Sequence, residues 1–323
     1  MSRGAALSGA LLITLATPVT WPLALAVFFL RGGLLLVVLP IVVLPSPVGL
    51  GNLLAPTLIS VVLRGPSIEV AVLVGSVMVA MLAWIVVGGL AAATLEAEAS
   101  RLVARDEDPP EPARRLSPDE PGVEARHHQV AARILAARLV AHLPTGLALI
   151  WGSTRLVAVA YRELTSPLDV TSPIVLRVLL GAPEVVIAIV VLWMVGEIIG
   201  GLAARRIALG AMGVGGALRD SVLALVRRPA GVLVDFWAPT AGLVLVLLPS
   251  SAAASAAWDL VRAAMRSQGG AFGATLAVVL FVSIWLVGLL LIAVTAAWRS
   301  AVWSVSHRHL WARGAGPAGS EPG

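Results

Sequence analysis

Four charged side chains of this chain sit where charge is expensive. Arg31, Arg155, Glu197 and Asp235 each fall inside an apolar run long enough to cross a bilayer. A charge at such depth is kept in one of three ways. It forms a buried ion pair that fixes helix register, it lines a path for a substrate or ion, or it snorkels or meets another subunit. At about 1.5 Å per residue, Arg31 lies roughly 16 Å from one end of its run, near mid-bilayer. Glu197 lies about 20 Å into its own run from the other side, and Asp235 about one and a half turns in. Depth therefore favours Arg31 with Glu197 or with Asp235. It leaves Arg155 to Glu163 or to the outer surface.

The elements that must hold these groups are transmembrane helices. Hydrophobic residues make up 59% of the chain and charged ones 13%, where a soluble domain carries about 25%. Six spans are expected, at roughly 20–44, 68–94, 139–161, 183–204, 230–249 and 273–298, giving an all-α polytopic bundle. All 23 basic residues are arginine. Sixteen of them fall before span 1, between spans 2 and 3, between spans 4 and 5, or after span 6. The positive-inside rule then puts both termini in the cytoplasm. The Leu, Val, Ala, Gly and Arg bias suggests a bacterial source and its cytoplasmic membrane. Residues 1–21 could pass for a signal peptide, but the repeat described next explains them better and argues against cleavage.

The chain echoes itself. "GLLLVVLP" at 33–40 returns as "GLVLVLLP" at 242–249, and "VGGLAAAT" at 87–94 as "IGGLAARR" at 199–206. These echoes predict three helical hairpins, at 1–104, 127–211 and 212–313. Residues 105–126, rich in proline and charge, read as a disordered cytoplasmic linker, and 314–323 as a disordered tail. Each hairpin is expected to begin with a short amphipathic helix at the cytoplasmic face, at the N-terminus, 130–143 and 213–228. A further amphipathic helix at 254–268 would lie on the outer surface, with Trp258, Val261 and Met265 toward lipid. Each outer segment carries an arginine, Arg64, Arg177 or Arg262. Pro66, Ser67 and Glu69, and Pro183 with Glu184, suit the first turns of spans 2 and 4, so the two glutamates read as capping residues.

Two further patterns concern contact. Gly196, Gly200 and Ala204 present a small-residue face that lets helices approach closely. Arg227, Arg228, Trp298, Arg299, Trp303, Arg308 and Trp311 combine cationic and aromatic side chains near span ends. They read as anchors at an interface of anionic lipid.

Composition also excludes function classes. With no cysteine there are no disulfides or thiolate metal sites. The histidines show no HExxH-type spacing, and the glycines of "GAMGVGG" at 210–216 lack the Lys-Ser/Thr of a phosphate-binding loop. No cofactor is expected. The high pI of about 11.2 fits topology and lipid contact rather than nucleic acid. No Ser-His-Asp set or carboxylate pair stands out.

The stretch "ALRDSVLALVRRPAGVLVDF" at 217–236 is a basic amphipathic helix entering a span at Arg-Arg-Pro. It resembles a broad group of bacterial six-span proteins similar to the membrane domain of glycerophosphoryl diester phosphodiesterases. The resemblance covers the layout of the chain and about 20 residues of local pattern. It implies a six-span membrane bundle. The soluble catalytic domain of those enzymes has no counterpart in the sequence, so their activity is not implied. The expected function is a non-enzymatic scaffold or accessory subunit that binds lipid or a partner membrane protein. The alternative is a transporter or permease component for a small or lipidic substrate, with Arg31, Glu197 and Asp235 on its path.

Overall fold

The computed structural model describes residues 3–38, 42, 65, 67–107, 123–165, 174–266 and 270–311, and within these no side-chain environment is given for 106–107, 123–127, 164, 174–175, 270 or 308–311. Every described element is a helix: α1 Arg3–Ala16, α2 Thr20–Phe28, α3 Leu34–Val38, α4 Ile68–Ala83, α5 Gly89–Glu107, α6 Val123–Thr165, α7 Ile174–Gly181, α8 Pro183–Gly210, α9 Val214–Arg227, α10 Pro229–Arg266 and α11 Gly270–Trp311. Wide π-type turns at Phe29–Gly33 and Trp84–Gly88 join α2 to α3 and α4 to α5. Among these residues six stretches are long and apolar enough to cross a membrane: Thr20–Val38, Ile68–Arg105, His128–Glu163, Pro183–Gly210, Pro229–Arg266 and Ala271–His307. The chain is an all-α, multi-pass membrane protein, as its hydropathy predicts.

Helix ends follow their local chemistry. The Ser67 hydroxyl caps α4 by accepting from the Val70 amide at 3.3 Å. Glu69 and Glu184 stand in the first turns of α4 and α8. Pro183 and Pro229 are first helical residues, where no amide partner is needed.

Three expected segments differ from the sequence reading. The 254–268 helix is the continuous end of α10, which passes Pro239 and Pro249 without stopping. Val261 is fully buried and the Trp258 ring lies tilted against Phe281 with centroids 5.2 Å apart, so these two pack on protein, while Met265 is exposed. The 130–143 helix is likewise the early part of α6, which runs through Pro144, and Ile134 is buried there. Of the expected linker, 105–107 continue α5 and 123–126 begin α6, while 108–122 lie outside the described residues, as do the tail and Arg64.

Contacts divide the chain into two compact units. The first comprises residues 1–43, 88–137 and 201–323, the second 44–87 and 138–200. In the first unit α10 and α11 form an antiparallel hairpin. Contacts run from Asp235–Ser306 through Phe236–Trp303, Gly242–Trp298 and Gly288–Ser250 to Trp258–Phe281. As numbers rise on one helix they fall one for one on the other. Helix α1 lies on α11, with Ala10 packed among Val103, Ala301, Val302 and Val305. The Trp298 indole ties it down by donating to the Leu7 carbonyl at 3.1 Å. A second core of this unit is built from alanines, Ala93 and Ala97 of α5, Ala131 and Ala137 of α6, Ala203 and Ala204 of α8 and Ala217 of α9. Small side chains let helix backbones close on one another, where dispersion and hydrogen bonds replace the hydrophobic effect as the source of association.

In the second unit the later part of α6 pairs antiparallel with α8. Gly200 meets Arg138, Gly196 meets Ala141 and His142, and Gly152 meets Val185. Ala182 and Val185 close the end of this pair against Val159. Helix α4, by contrast, has no buried residue.

Candidate intramembrane charge site

Arg31 occupies a break in the first span. Its own backbone leaves the helical region at φ −92°, ψ 17°, and Gly32 follows at φ 96°, ψ −5°. The positive φ needs glycine, because a Cβ would strike the following carbonyl. A break of this kind leaves amides and carbonyls outside the regular ladder, and lipid cannot satisfy them. It must therefore be covered by protein or face a cavity. Here it turns Arg31 toward α5.

The carboxylate that receives Arg31 is Glu96. Arg31 Nη2 donates to Glu96 Oε2, and the second oxygen, Oε1, accepts from Arg205 Nη1 of α8. Arg205 Nη2 donates onward to the Ser300 hydroxyl of α11 at 2.9 Å. One carboxylate thus links the α2 break, α5, α8 and α11 inside the first unit. The Glu96 and Arg205 side chains are 4% and 3% exposed, and that of Arg31 is 29% exposed. At such burial each charge owes its presence to its partners. Deleting one partner leaves the others uncompensated, a loss of about 3–5 kcal/mol.

The expectation that Arg31 is answered by Glu197 or Asp235 overlooked Glu96, which lies outside the 68–94 span but on the same continuous helix. A signal for it exists. Ala93, Glu96, Ala97, Ser100 and Val103 are all buried and recur at helical spacing, whereas Glu98 pairs with Arg101 at 3.5 Å on another face. The inward-facing glutamate was legible as one member of an alanine-lined stripe. Arg205 was counted only as topogenic charge, yet it is among the most buried polar residues of the chain.

The other candidates fall into separate places. Asp235 accepts from the Ser306 hydroxyl at 2.8 Å, within the first unit. Glu197 lies in the second unit, 3.3 Å from His142 Nε2 and 3.7 Å from Arg138 Nη1. His142 is held through its other ring nitrogen, 2.9 Å from the Arg138 carbonyl. The small-residue face serves this group. A Cβ at Gly196 would approach the Ala141 carbonyl oxygen to 3.0 Å and the His142 ring to 3.1 Å. Arg155 pairs with Glu184 at 3.3 Å, not with Glu163, and both partners are about half exposed. Glu163 stands 3.7 Å from Arg162 and 3.8 Å from Arg177.

The expected lipid anchors divide. Trp303 is 4% exposed, near Phe236 at 6.5 Å and against the backbone at Gly201, so it is a packing residue and not a lipid contact. Trp298 is spent on Leu7 and on Gly242. Arg299 is half-buried with its guanidinium 5.7 Å from the Phe236 ring centroid. Arg227 and Arg228 are exposed at the end of α9. The side chains of Arg308 and Trp311 lie outside the described residues.

Chemically, the Arg31–Glu96–Arg205–Ser300 arrangement is a fixed network of charge-assisted hydrogen bonds. No known protein family, characterised protein or solved structure matches the chain.

Proposed function

We propose that this protein is a non-enzymatic membrane scaffold or accessory subunit that binds lipid or a partner membrane protein. The observation that carries this reading is the pairing of Arg31. A charge lining a solute path must stay available to solute or water. Arg31 is instead joined to a carboxylate that is itself 4% exposed and shared with a second arginine. The network acts as a clamp across four helices. The remaining apolar surface, most fully that of α4, is left for lipid or for another protein. On its Leu, Val, Ala, Gly and Arg bias we assign the protein to the bacterial cytoplasmic membrane, and on the arginine distribution we assign both termini to the inside.

Purification from native membranes, followed by identification of co-purifying proteins and lipids, tests this. The expected result is a recurrent partner or a retained lipid. Repeated isolation as a bare monomer would count against it.

A transport reading has one observation in its favour, the interrupted helix at Arg31 and Gly32. Broken helices form binding sites in many transporters. It requires a wet route to the break.

A further inference from the structure

About half of the described arginines have a carboxylate. Arg31 and Arg205 share Glu96, Arg206 has Asp220, Arg138 has Glu197, Arg155 has Glu184 and Arg262 has Asp259. Three at one place do not. Arg3 at the start of α1, and Arg227 with Arg228 between α9 and α10, are exposed and have no ion pair or side-chain hydrogen bond among the described residues.

The fold brings the first of these to the other two. Helix α1 is fixed along α11 by Ala10 and by the Trp298–Leu7 bond. This sets the Arg3 guanidinium directly on Gly231, in the space that a Cβ at that position would fill. Gly231 in turn bonds the Arg228 carbonyl through its amide at 3.1 Å. A residue two hundred positions away is therefore seated within one turn of Arg228. The nearby acids are engaged elsewhere. Asp220 bonds Arg206, and Asp235, one turn further along α10, accepts from Ser306. The amides of Gly231 and Val232 are both taken by the Arg228 carbonyl, so what remains on offer is guanidinium. The Arg3 guanidinium is fixed by packing and Arg228 lies within one turn of Gly231 along the backbone; like charges so near repel unless an anion lies between them.

We infer that Arg3, Arg227 and Arg228 form a binding site for a phosphate-bearing anion around Gly231, the headgroup of an anionic phospholipid or a free phosphate. Guanidinium planes match phosphate oxygens two at a time, which suits them to this ligand better than lysine would. The exposed Val222 and Val226 of α9 adjoin the site along the chain and suit acyl chains beneath a headgroup. The site deepens the lipid-binding reading above and rests on it, by naming the lipid chemistry and where it is held.

The test uses the full-length protein, delipidated in detergent, and native mass spectrometry with phosphatidylglycerol and phosphatidylcholine. Inorganic phosphate, read by its effect on thermal unfolding, forms a separate arm. Arg3→Gln and Arg228→Gln are each expected to weaken phosphatidylglycerol retention about five- to tenfold and to leave phosphatidylcholine unchanged. Gly231→Leu, which displaces Arg3 while keeping its charge, should do the same. Arg266→Gln, exposed at the far end of α10, is the control and should have no effect. Protection by inorganic phosphate that disappears in Arg3→Gln would identify a free anion as the ligand. If the variants retain phosphatidylglycerol as the wild type does, and phosphate protection is equally unchanged, the site is wrong although lipid binding stands. If the wild type prefers neither lipid and gains nothing from phosphate, the lipid-binding reading fails as well.

Discussion

Glu96 and Glu184 are both glutamates facing arginines across a helix pair, and they are worth very different amounts. Glu96 is 4% exposed and bound by two guanidiniums, whereas Glu184 and Arg155 are 51% and 58% exposed. In the first case the surroundings cannot replace a lost partner. In the second, water or lipid headgroups can. The chemical identity of a pair thus says little about its contribution, and burial says most. Glu197 is intermediate. It is 15% exposed, with His142 and Arg138 as partners at ordinary ion-pair distance rather than in tight contact.

The comparison can be broken most forcefully at Glu96. Glu96→Gln should leave the buried Arg205 guanidinium, and the partly exposed one of Arg31, facing a neutral amide and cost about 3–5 kcal/mol, visible as lost folded yield and early thermal unfolding in detergent. The triple change Arg31→Met, Glu96→Leu, Arg205→Met should recover most of that loss, because well-packed apolar side chains replace buried ion networks at little or no cost. A triple variant as unstable as Glu96→Gln would mean that the charges themselves, not their balance, hold the helices.

Next in size is the helix break. Gly32→Ala forces a side chain to φ 96° and should cost about 1–3 kcal/mol in the same unfolding assay. Gly196→Ala is expected to cost about 1–3 kcal/mol, by pressing its methyl on the Ala141 carbonyl and the His142 ring. Its effect should shrink when His142 is cut back to alanine, which would show that the glycine makes room for the histidine. At the bottom of the scale, Arg155→Gln should change stability by no more than about 1 kcal/mol, and less at high salt. A large effect there would erase the contrast between the two glutamates.

Much of the architecture was legible in the residues. Six spans announce themselves by length and hydropathy, and Pro183, Pro229 and Ser67 mark helix starts by chemistry that is local. The partner of Arg31 was not legible in the same way. Span limits drawn from hydropathy end where charge resumes, so Glu96 in "TLEAEAS" fell outside the span. The helix does not end there, because backbone bonding continues regardless of side-chain polarity. Pro144 and Pro249 misled in the opposite sense. Each suggested an ending, yet a long helix supported by neighbours loses only one bond at proline and goes on. Trp303 shows a third limit. Its type suits a membrane interface, but Gly201 opens a place for it inside the protein, and only the tertiary contact reveals this.

The central claim is that the Arg31–Glu96–Arg205–Ser300 network is a structural clamp whose Glu96–Arg205–Ser300 end is dry. The chain has no cysteine of its own, so one introduced as Ser300→Cys reports on this place alone. Beside Arg205 it should resist a membrane-impermeant, water-soluble thiol reagent, applied from either side of sealed vesicles, and react fully once the protein is unfolded. Rapid modification in the folded, membrane-embedded protein would reveal a water-filled route to the network, and would contradict the clamp in favour of transport.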